Sequence, residues 1–128
     1  MKTIIAIMLI FILSYQFVCT PKSLICVSVY SCPYAGVNYV WYYWESNQDK
    51  EKKVNVVGTV YGAGSYNYYV YRHSTLLLYG IMEKSGVLRK IRIQPNILYQ
   101  LVIQSRECNE NIESNDNGKI CLVESEQD

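Results

Sequence analysis

Hydrophobic and polar positions alternate with a period of two along much of the chain. Within the range Leu24 to Tyr30, the residues Ile25, Val27 and Val29 fall on one side of the alternation. This spacing is typical of a half-buried β-strand. The same reading along the chain predicts eight strands and no helix: Leu24–Tyr30, Gly36–Glu45, Val54–Tyr61, Tyr66–Arg72, Thr75–Met82, Val87–Ile93, Ile97–Gln104 and Lys119–Glu124.

Turn residues separate these segments. Gly62-Ala63-Gly64-Ser65 is a hairpin signal, because glycine tolerates the positive φ of tight turns, and Glu83-Lys84-Ser85-Gly86 is a second one. No segment between two strands offers a crossover helix, which parallel strands require. We therefore predict an all-β, antiparallel β-sandwich of about eight strands.

The segment from Val37 to Trp44 is the densest in large side chains. Aromatic and β-branched residues occupy both sides of its alternation. Strands that are buried on both faces have this composition. We therefore predict that it forms a central strand.

A local signature resembles the corner that leads into strand F of fibronectin type III domains. In Ile93–Ile103 an apolar residue is followed by Pro95, then by Tyr99 and alternating apolar residues. The resemblance implies a fibronectin III or immunoglobulin-like sandwich. It also implies that the ring of Tyr99 is buried and that its hydroxyl bonds to backbone near Ile93 or Gln94, as in a tyrosine corner.

The first residues have the order of a secretory signal peptide. Lys2 precedes an apolar run from Ile4 to Leu13, which is too short to span a bilayer. We predict a signal peptide over 1–19, cut at Cys19 or Thr20, and a secreted protein without stable membrane insertion. About 108 of the 128 residues then remain, the size of one domain. We assign 20–106 to the sandwich and 107–128 to an acidic segment that carries the last strand.

Cysteine usage agrees with an extracellular location. Removal of Cys19 leaves four of the five cysteines, an even number that can pair completely. We favour the local pairs Cys26–Cys32 and Cys108–Cys121. A crosswise pairing, which would tie the N-terminal strand to the C-terminal strand, stays open. No metal site is expected, because no Cys-x2-Cys pair occurs and the chain has one histidine.

Charge is distributed unevenly along the chain. From 21 to 106 there are ten Lys or Arg against four Asp or Glu, a net of +6, whereas 107–128 has seven acids and one lysine, a net of −6. The acidic segment is expected to be solvated, with folding back onto a basic face as the alternative. We expect no nucleic-acid partner, because no basic cluster stands out in the sequence.

Catalytic constellations are missing from the sequence pattern. His73, the one histidine, falls in a turn between two predicted strands. The carboxylates that could pair for glycoside hydrolysis fall in or beside charged loops, namely Glu45, Asp49, Glu51 and Glu83. A Ser-His-Asp site would have to use this turn histidine. We therefore expect no enzyme, no catalytic residue and no cofactor.

Tyrosine provides the functional hint, with 13 residues in the chain. Alternation in the fourth strand places Tyr66 and Tyr68 on one face and Tyr69 and Tyr71 on the other, so one face could expose a tyrosine row. Tyrosine is enriched in binding surfaces, although cross-strand aromatic pairs can also serve the sheet alone. We expect a secreted binding module for an extracellular protein, with a carbohydrate-binding module as the alternative. The expected contact residues are Trp41, Trp44, Tyr66, Tyr68, Tyr69 and Tyr71, with Lys90 and Arg92 as flanking charges.

Overall fold

Eight β-strands account for most of the described chain. The computed structural model describes residues 22–31, 36–106, 112–113 and 115–125; the predicted signal peptide, Cys19, Cys32 and Cys108 lie outside the described residues. The strands are β1 (Ser23–Tyr30), β2 (Val37–Tyr43), β3 (Lys52–Tyr61), β4 (Tyr66–Arg72), β5 (Thr75–Met82), β6 (Gly86–Ile93), β7 (Leu98–Ser105) and β8 (Asn117–Glu124). Within these ranges, no helix is long and apolar enough to cross a membrane.

The strand bounds confirm the reading of the hydrophobic pattern. Each predicted end lies within two residues of the observed end, and β4 and β5 coincide with their predictions. The agreement has a local cause. Successive side chains of a β-strand point to opposite faces, so a sequence that alternates hydrophobic and polar residues fits this backbone.

The strands form two four-stranded antiparallel sheets. One sheet has the order β1-β8-β3-β6 and the other has the order β2-β7-β4-β5. Only β4 and β5 are neighbours both in sequence and in a sheet, so every other connection carries the chain from one sheet to the other. Two interleaved sheets of this order form an eight-stranded jelly roll.

The predicted antiparallel β-sandwich is therefore confirmed. The finer resemblance to immunoglobulin-like domains is not supported by the strand order. In those domains the first two strands pair within one sheet, whereas here β1 pairs with β8 and β2 pairs with β7. The resemblance is limited to the corner before β7.

The core lies between the two sheets. Its fully buried members include Tyr66, Tyr99, Leu101 and Ile120. The prediction that β2 is a central strand is wrong, because β2 is an edge strand that pairs only with β7. Its large side chains have two separate environments, since one side packs against the core and the other side is exposed.

Tyr66 joins the N-terminal and C-terminal strands at one end of the core. Its hydroxyl is hydrogen-bonded to Oγ of Ser31, and the Ser31 N–H donates to the carbonyl of Asp116 at 2.9 Å. Gly118 lies against the ring of Tyr66, and a Cβ at Gly118 would come within 2.7–2.8 Å of three ring carbons. Glycine at 118 therefore makes room for the tyrosine.

A disulfide links the first and last strands. Cys26 on β1 bonds to Cys121 on β8, and the two residues are directly opposite in the antiparallel register. The favoured local pairs Cys26–Cys32 and Cys108–Cys121 are therefore wrong. The crosswise alternative is correct for this pair, because the jelly-roll order places the two ends of the described chain side by side.

Candidate functional site

The outer side of the β2-β7-β4-β5 sheet carries no charged residue. Alternation turns one set of side chains in each strand toward the core and the other set toward the outside. We call the outward set the aromatic face. Its residues are Val37, Tyr39, Trp41, Tyr43, Asn67, Tyr69, Tyr71, Leu76, Tyr79, Ile81, Leu98, Gln100, Val102 and Gln104. Leu76 belongs to this set through a register shift in β5, which places it opposite Tyr71.

Strand register arranges these side chains in rows across the sheet. Three rows cross all four strands in the order β2, β7, β4, β5: Val37–Gln104–Asn67–Ile81, Tyr39–Val102–Tyr69–Tyr79 and Trp41–Gln100–Tyr71–Leu76. Residues directly opposite each other on one face have neighbouring side chains. The aromatic face is therefore one continuous surface and not a set of isolated side chains.

Most of the exposed hydrophobic area of the described residues is concentrated here. Eight of the eleven exposed large hydrophobic side chains in the described ranges belong to the aromatic face, with Tyr79 at 71% and Tyr39 at 61% exposure. At about 200 Å² for a complete aromatic side chain, its four exposed aromatic residues contribute roughly 450 Å². With four exposed aliphatic side chains added, the surface reaches the upper range for apolar patches of monomers.

Ring contacts organise the surface. Tyr39 and Trp41 meet edge to face with ring centroids 6.3 Å apart, and Tyr69 and Tyr71 stack at 6.4 Å. Such pairs hold the rings in fixed orientations. The aromatic face therefore presents rigid contact area.

Side-chain amides and the indole N–H of Trp41 are the polar groups of this face besides the tyrosine hydroxyls. Asn67 donates through Nδ2 to Oε1 of Gln104 at 3.5 Å. Gln100 lies between Trp41 and Tyr71 in its row. The surface thus offers hydrogen-bond donors and acceptors without any formal charge.

The structure separates the four predicted tyrosines of β4. Tyr69 and Tyr71 lie on the aromatic face together with Trp41. Tyr66 and Tyr68 point the other way, into the core, with 0% and 9% exposure. Tyr66 and Tyr68, which were expected to be contact residues, are therefore not accessible to a partner, because β4 turns this side toward the opposite sheet.

Three other predicted contact residues lie away from the aromatic face. Trp44 follows β2, packs against the core, and has Nζ of Lys52 4.3 Å from its ring centroid. Lys90 and Arg92 lie on β6, in the other sheet. They therefore do not flank the aromatic residues.

Sequence reasoning missed several members of the face. Tyr39, Tyr43 and Tyr79 are exposed on it. Tyr39 and Tyr43 lie on the same side of β2 as Trp41, so the alternation in this strand could have identified them. The prediction that both sides of β2 are buried obscures this signal.

The described residues include no cluster of metal-binding side chains. No group of three or more His, Cys, Asp or Glu residues in the described ranges could hold a metal ion. His73 lies in the β4–β5 turn with a φ of 53°, and its N–H donates to the carbonyl of Leu98 at 2.9 Å. Its backbone thus serves the turn geometry.

Comparison with known proteins leaves the geometry as the guide to function. The chain matches no protein-family model and no curated protein. Jelly rolls occur in viral capsids, lectins and cupins, so this architecture by itself does not indicate a function.

Proposed function

We propose that this chain is a secreted, non-enzymatic binding module that recognises an extracellular protein through the aromatic face. The observation that carries the proposal is the continuous, uncharged surface of four exposed aromatic and four exposed aliphatic side chains. Interface cores are enriched in aromatic residues and depleted in charges. The Cys26–Cys121 bond supports an oxidising compartment.

The chemistry of the face defines the partner. A charged group buried against it would lose its hydration without gaining an ion pair. The partner therefore presents a flat, apolar and uncharged surface, with donors or acceptors that match the amides of Asn67, Gln100 and Gln104. The exposed hydrophobic area is of the order that one protein contributes to a standard interface, about 800 Å².

Sheet stability alone does not account for this surface. Cross-strand pairing stabilises a sheet when the side chains cover each other. Tyr79 and Tyr39 are still 71% and 61% exposed at the two ends of one row. Large aromatic side chains left open to solvent indicate a surface that is covered by something else.

A matched pair of double variants tests the proposal. Tyr39→Ser/Tyr79→Ser removes two exposed rings from the aromatic face. Tyr30→Ser/Tyr61→Ser removes two rings of 62% and 47% exposure from the other sheet. The disulfide-bonded protein is immobilised, and proteins captured from extracellular fluid are cross-linked and identified by mass spectrometry.

The proposal requires a protein that the wild type and the Tyr30/Tyr61 variant capture and that the Tyr39/Tyr79 variant loses. A labelled partner should then bind the Tyr39/Tyr79 variant at least about a hundredfold more weakly, as expected for two aromatic anchors. Equal capture by both variants would rule out the aromatic face as the binding surface.

A carbohydrate is the second candidate ligand, and the amides favour it. Exposed rings interleaved with Asn67, Gln100 and Gln104 can stack on sugar rings and hydrogen-bond to their hydroxyls. A glycan array probed with the same two variants separates the candidates. Binding of a neutral glycan that only the Tyr39/Tyr79 variant loses would replace the protein partner by a sugar.

A further inference from the structure

A second surface, on the opposite side of the sandwich, carries clustered positive charge. Lys53 on β3 alternates with the buried Val54, and Arg92 on β6 alternates with the buried Ile93, so both side chains point outward. Lys90 precedes Arg92 by two residues and shares its face. Together with Lys50, which precedes β3, these residues form what we call the basic patch.

The charges are placed against each other in the sheet. Lys53 is directly opposite Arg92 in the β3–β6 pairing. Like charges in this position destabilise a sheet. Oε2 of Glu51 lies 3.5 Å from Nη1 of Arg92 and supplies one negative charge. The four cations and one anion leave the patch with a net positive charge.

Protection of a sheet edge explains only part of this arrangement. β6 is an edge strand, and positive charges on such a strand discourage pairing with other chains. Lys53 has no such role, because β3 is an interior strand between β8 and β6. A negative ligand that contacts both Lys53 and Arg92 would explain this placement instead.

The shape of the patch fits an extended polyanion. Lys50, Glu51, Lys53 and Arg92 line an open depression of about 360 Å³. Lys90 continues the positive surface along β6, about 7 Å from Arg92 at the rise of a β-strand. A ligand with one charge would use the depression alone, whereas a chain with repeated charges can also reach Lys90.

We propose that the basic patch binds an anionic polysaccharide through its sulfate or carboxylate groups. The disulfide supports an oxidising compartment such as the extracellular space, where sulfated and carboxylated polysaccharides are common polyanions. The patch contains no aromatic ring, whereas proteins that bind single-stranded nucleic acids stack bases on aromatic side chains. This inference is independent of the proposed function, because the two surfaces lie on different sheets.

The test compares two double variants that remove the same charge. Lys90→Gln/Arg92→Gln alters the patch. Lys84→Gln/Arg106→Gln alters an exposed turn lysine and an exposed arginine after β7. Binding of fluorescent heparin (sulfated) and polygalacturonate (carboxylated) is titrated at several salt concentrations, which identifies the preferred anionic group.

We expect the Lys90/Arg92 variant to bind the preferred polymer at least about tenfold more weakly, which corresponds to the loss of one charge-assisted contact. Its dependence on salt should also be shallower. The Lys84/Arg106 variant and the Tyr39→Ser/Tyr79→Ser variant should change the affinity less than about twofold.

Three results would overturn the inference. The first is no binding of either polysaccharide, and the second is an equal loss in both charge variants, which would indicate net charge alone. The third is tighter binding of a single-stranded oligonucleotide or of polyglutamate at the same salt concentration. Because the aromatic-face variant is measured in parallel, failure here leaves the protein-binding proposal standing, and the reverse also holds.

Discussion

The hydroxyl of Tyr99 accepts a hydrogen bond from the backbone N–H of Gln94, five residues earlier, at 2.8 Å. The ring of Tyr99 is fully buried, as are Ile93 and Leu101. The bond ties β7 to the end of β6 across the turn at Pro95. This is the local geometry that the tyrosine-corner resemblance implies, and it occurs here within a jelly-roll strand order.

The Tyr99→Phe substitution should lower the free energy of unfolding by about 1–3 kcal/mol. It removes the acceptor and leaves the N–H of Gln94 without this partner in a partly buried position. Urea midpoints measure the loss. Tyr39→Phe is the control, because its ring is 61% exposed, and it should cost less than about 0.5 kcal/mol. Similar losses in both variants would mean that the corner bond does not stabilise the fold.

The Gly118→Ala substitution should destabilise the protein by about 1–3 kcal/mol through overpacking. The added methyl group would lie 2.7–2.8 Å from the ring carbons of Tyr66, which is fully buried. A double-mutant cycle with Tyr66→Val measures the effect by urea denaturation. In the Tyr66→Val background the added methyl should cost clearly less. An unchanged cost in that background would exclude the ring contact as the cause.

Stability should fall at alkaline pH through two tyrosines. Burial raises the pKa of Tyr66 above its ordinary value of 10.0; the hydrogen bond with Ser31 lowers this pKa and the charge of Asp116 raises it. Burial, followed by the charge of Glu124, raises the pKa of Tyr42. A raised pKa in the folded state contributes stability that is complete below pH 10 and is lost as the pH rises through the folded pKa.

Urea midpoints between about pH 8 and pH 11 check this dependence. The midpoint of the wild type should decrease above pH 10, and Tyr66→Phe should have a shallower decrease, whatever its stability at pH 8. Parallel curves for the two proteins would show that ionisation of Tyr66 contributes nothing to the alkaline loss.

Removal of the Cys26–Cys121 bond by a double alanine substitution should cost about 3 kcal/mol. The chain-entropy relation gives about 4–5 kcal/mol for a single bridge of this span, but the second bridge that we predict between Cys32 and Cys108 shortens the loop that Cys26–Cys121 closes to about 20 residues. The two cysteines are 95 residues apart in sequence. The urea midpoint of the variant, compared with the wild type under non-reducing conditions, measures the loss. A loss below about 1 kcal/mol would contradict this account and would indicate that residual structure already restricts the unfolded chain.

The mature protein should contain no free thiol. With Cys26 and Cys121 joined, the even count left after signal removal predicts that Cys32 and Cys108, which lie outside the described residues, pair with each other. The intact mass should then be about 4 Da below that of the reduced chain, the mass of four thiol hydrogens in two bridges. A thiol that reacts with a maleimide in the unfolded, unreduced protein would contradict this.

The sequence by itself determined the strands and turns of this protein. Alternation in segments such as Tyr66–Arg72 and the glycines before Tyr66 are local signals, because side-chain direction and backbone φ depend on immediate neighbours. The bond from Gln94 to Tyr99 spans five residues, so it was predictable for the same reason.

Only the tertiary structure decided which strands are neighbours. Pairing of β1 with β8 brings Cys26 to Cys121, and separation of β6 from β4 puts Lys90 and Arg92 on the opposite side from Trp41 and Tyr71. Alternation with a period of two shows that a strand has two faces, but it does not show which face packs against the other sheet. Tyr68 and Tyr69 are adjacent tyrosines in the same strand, and packing of the second sheet buries one and leaves the other on the aromatic face.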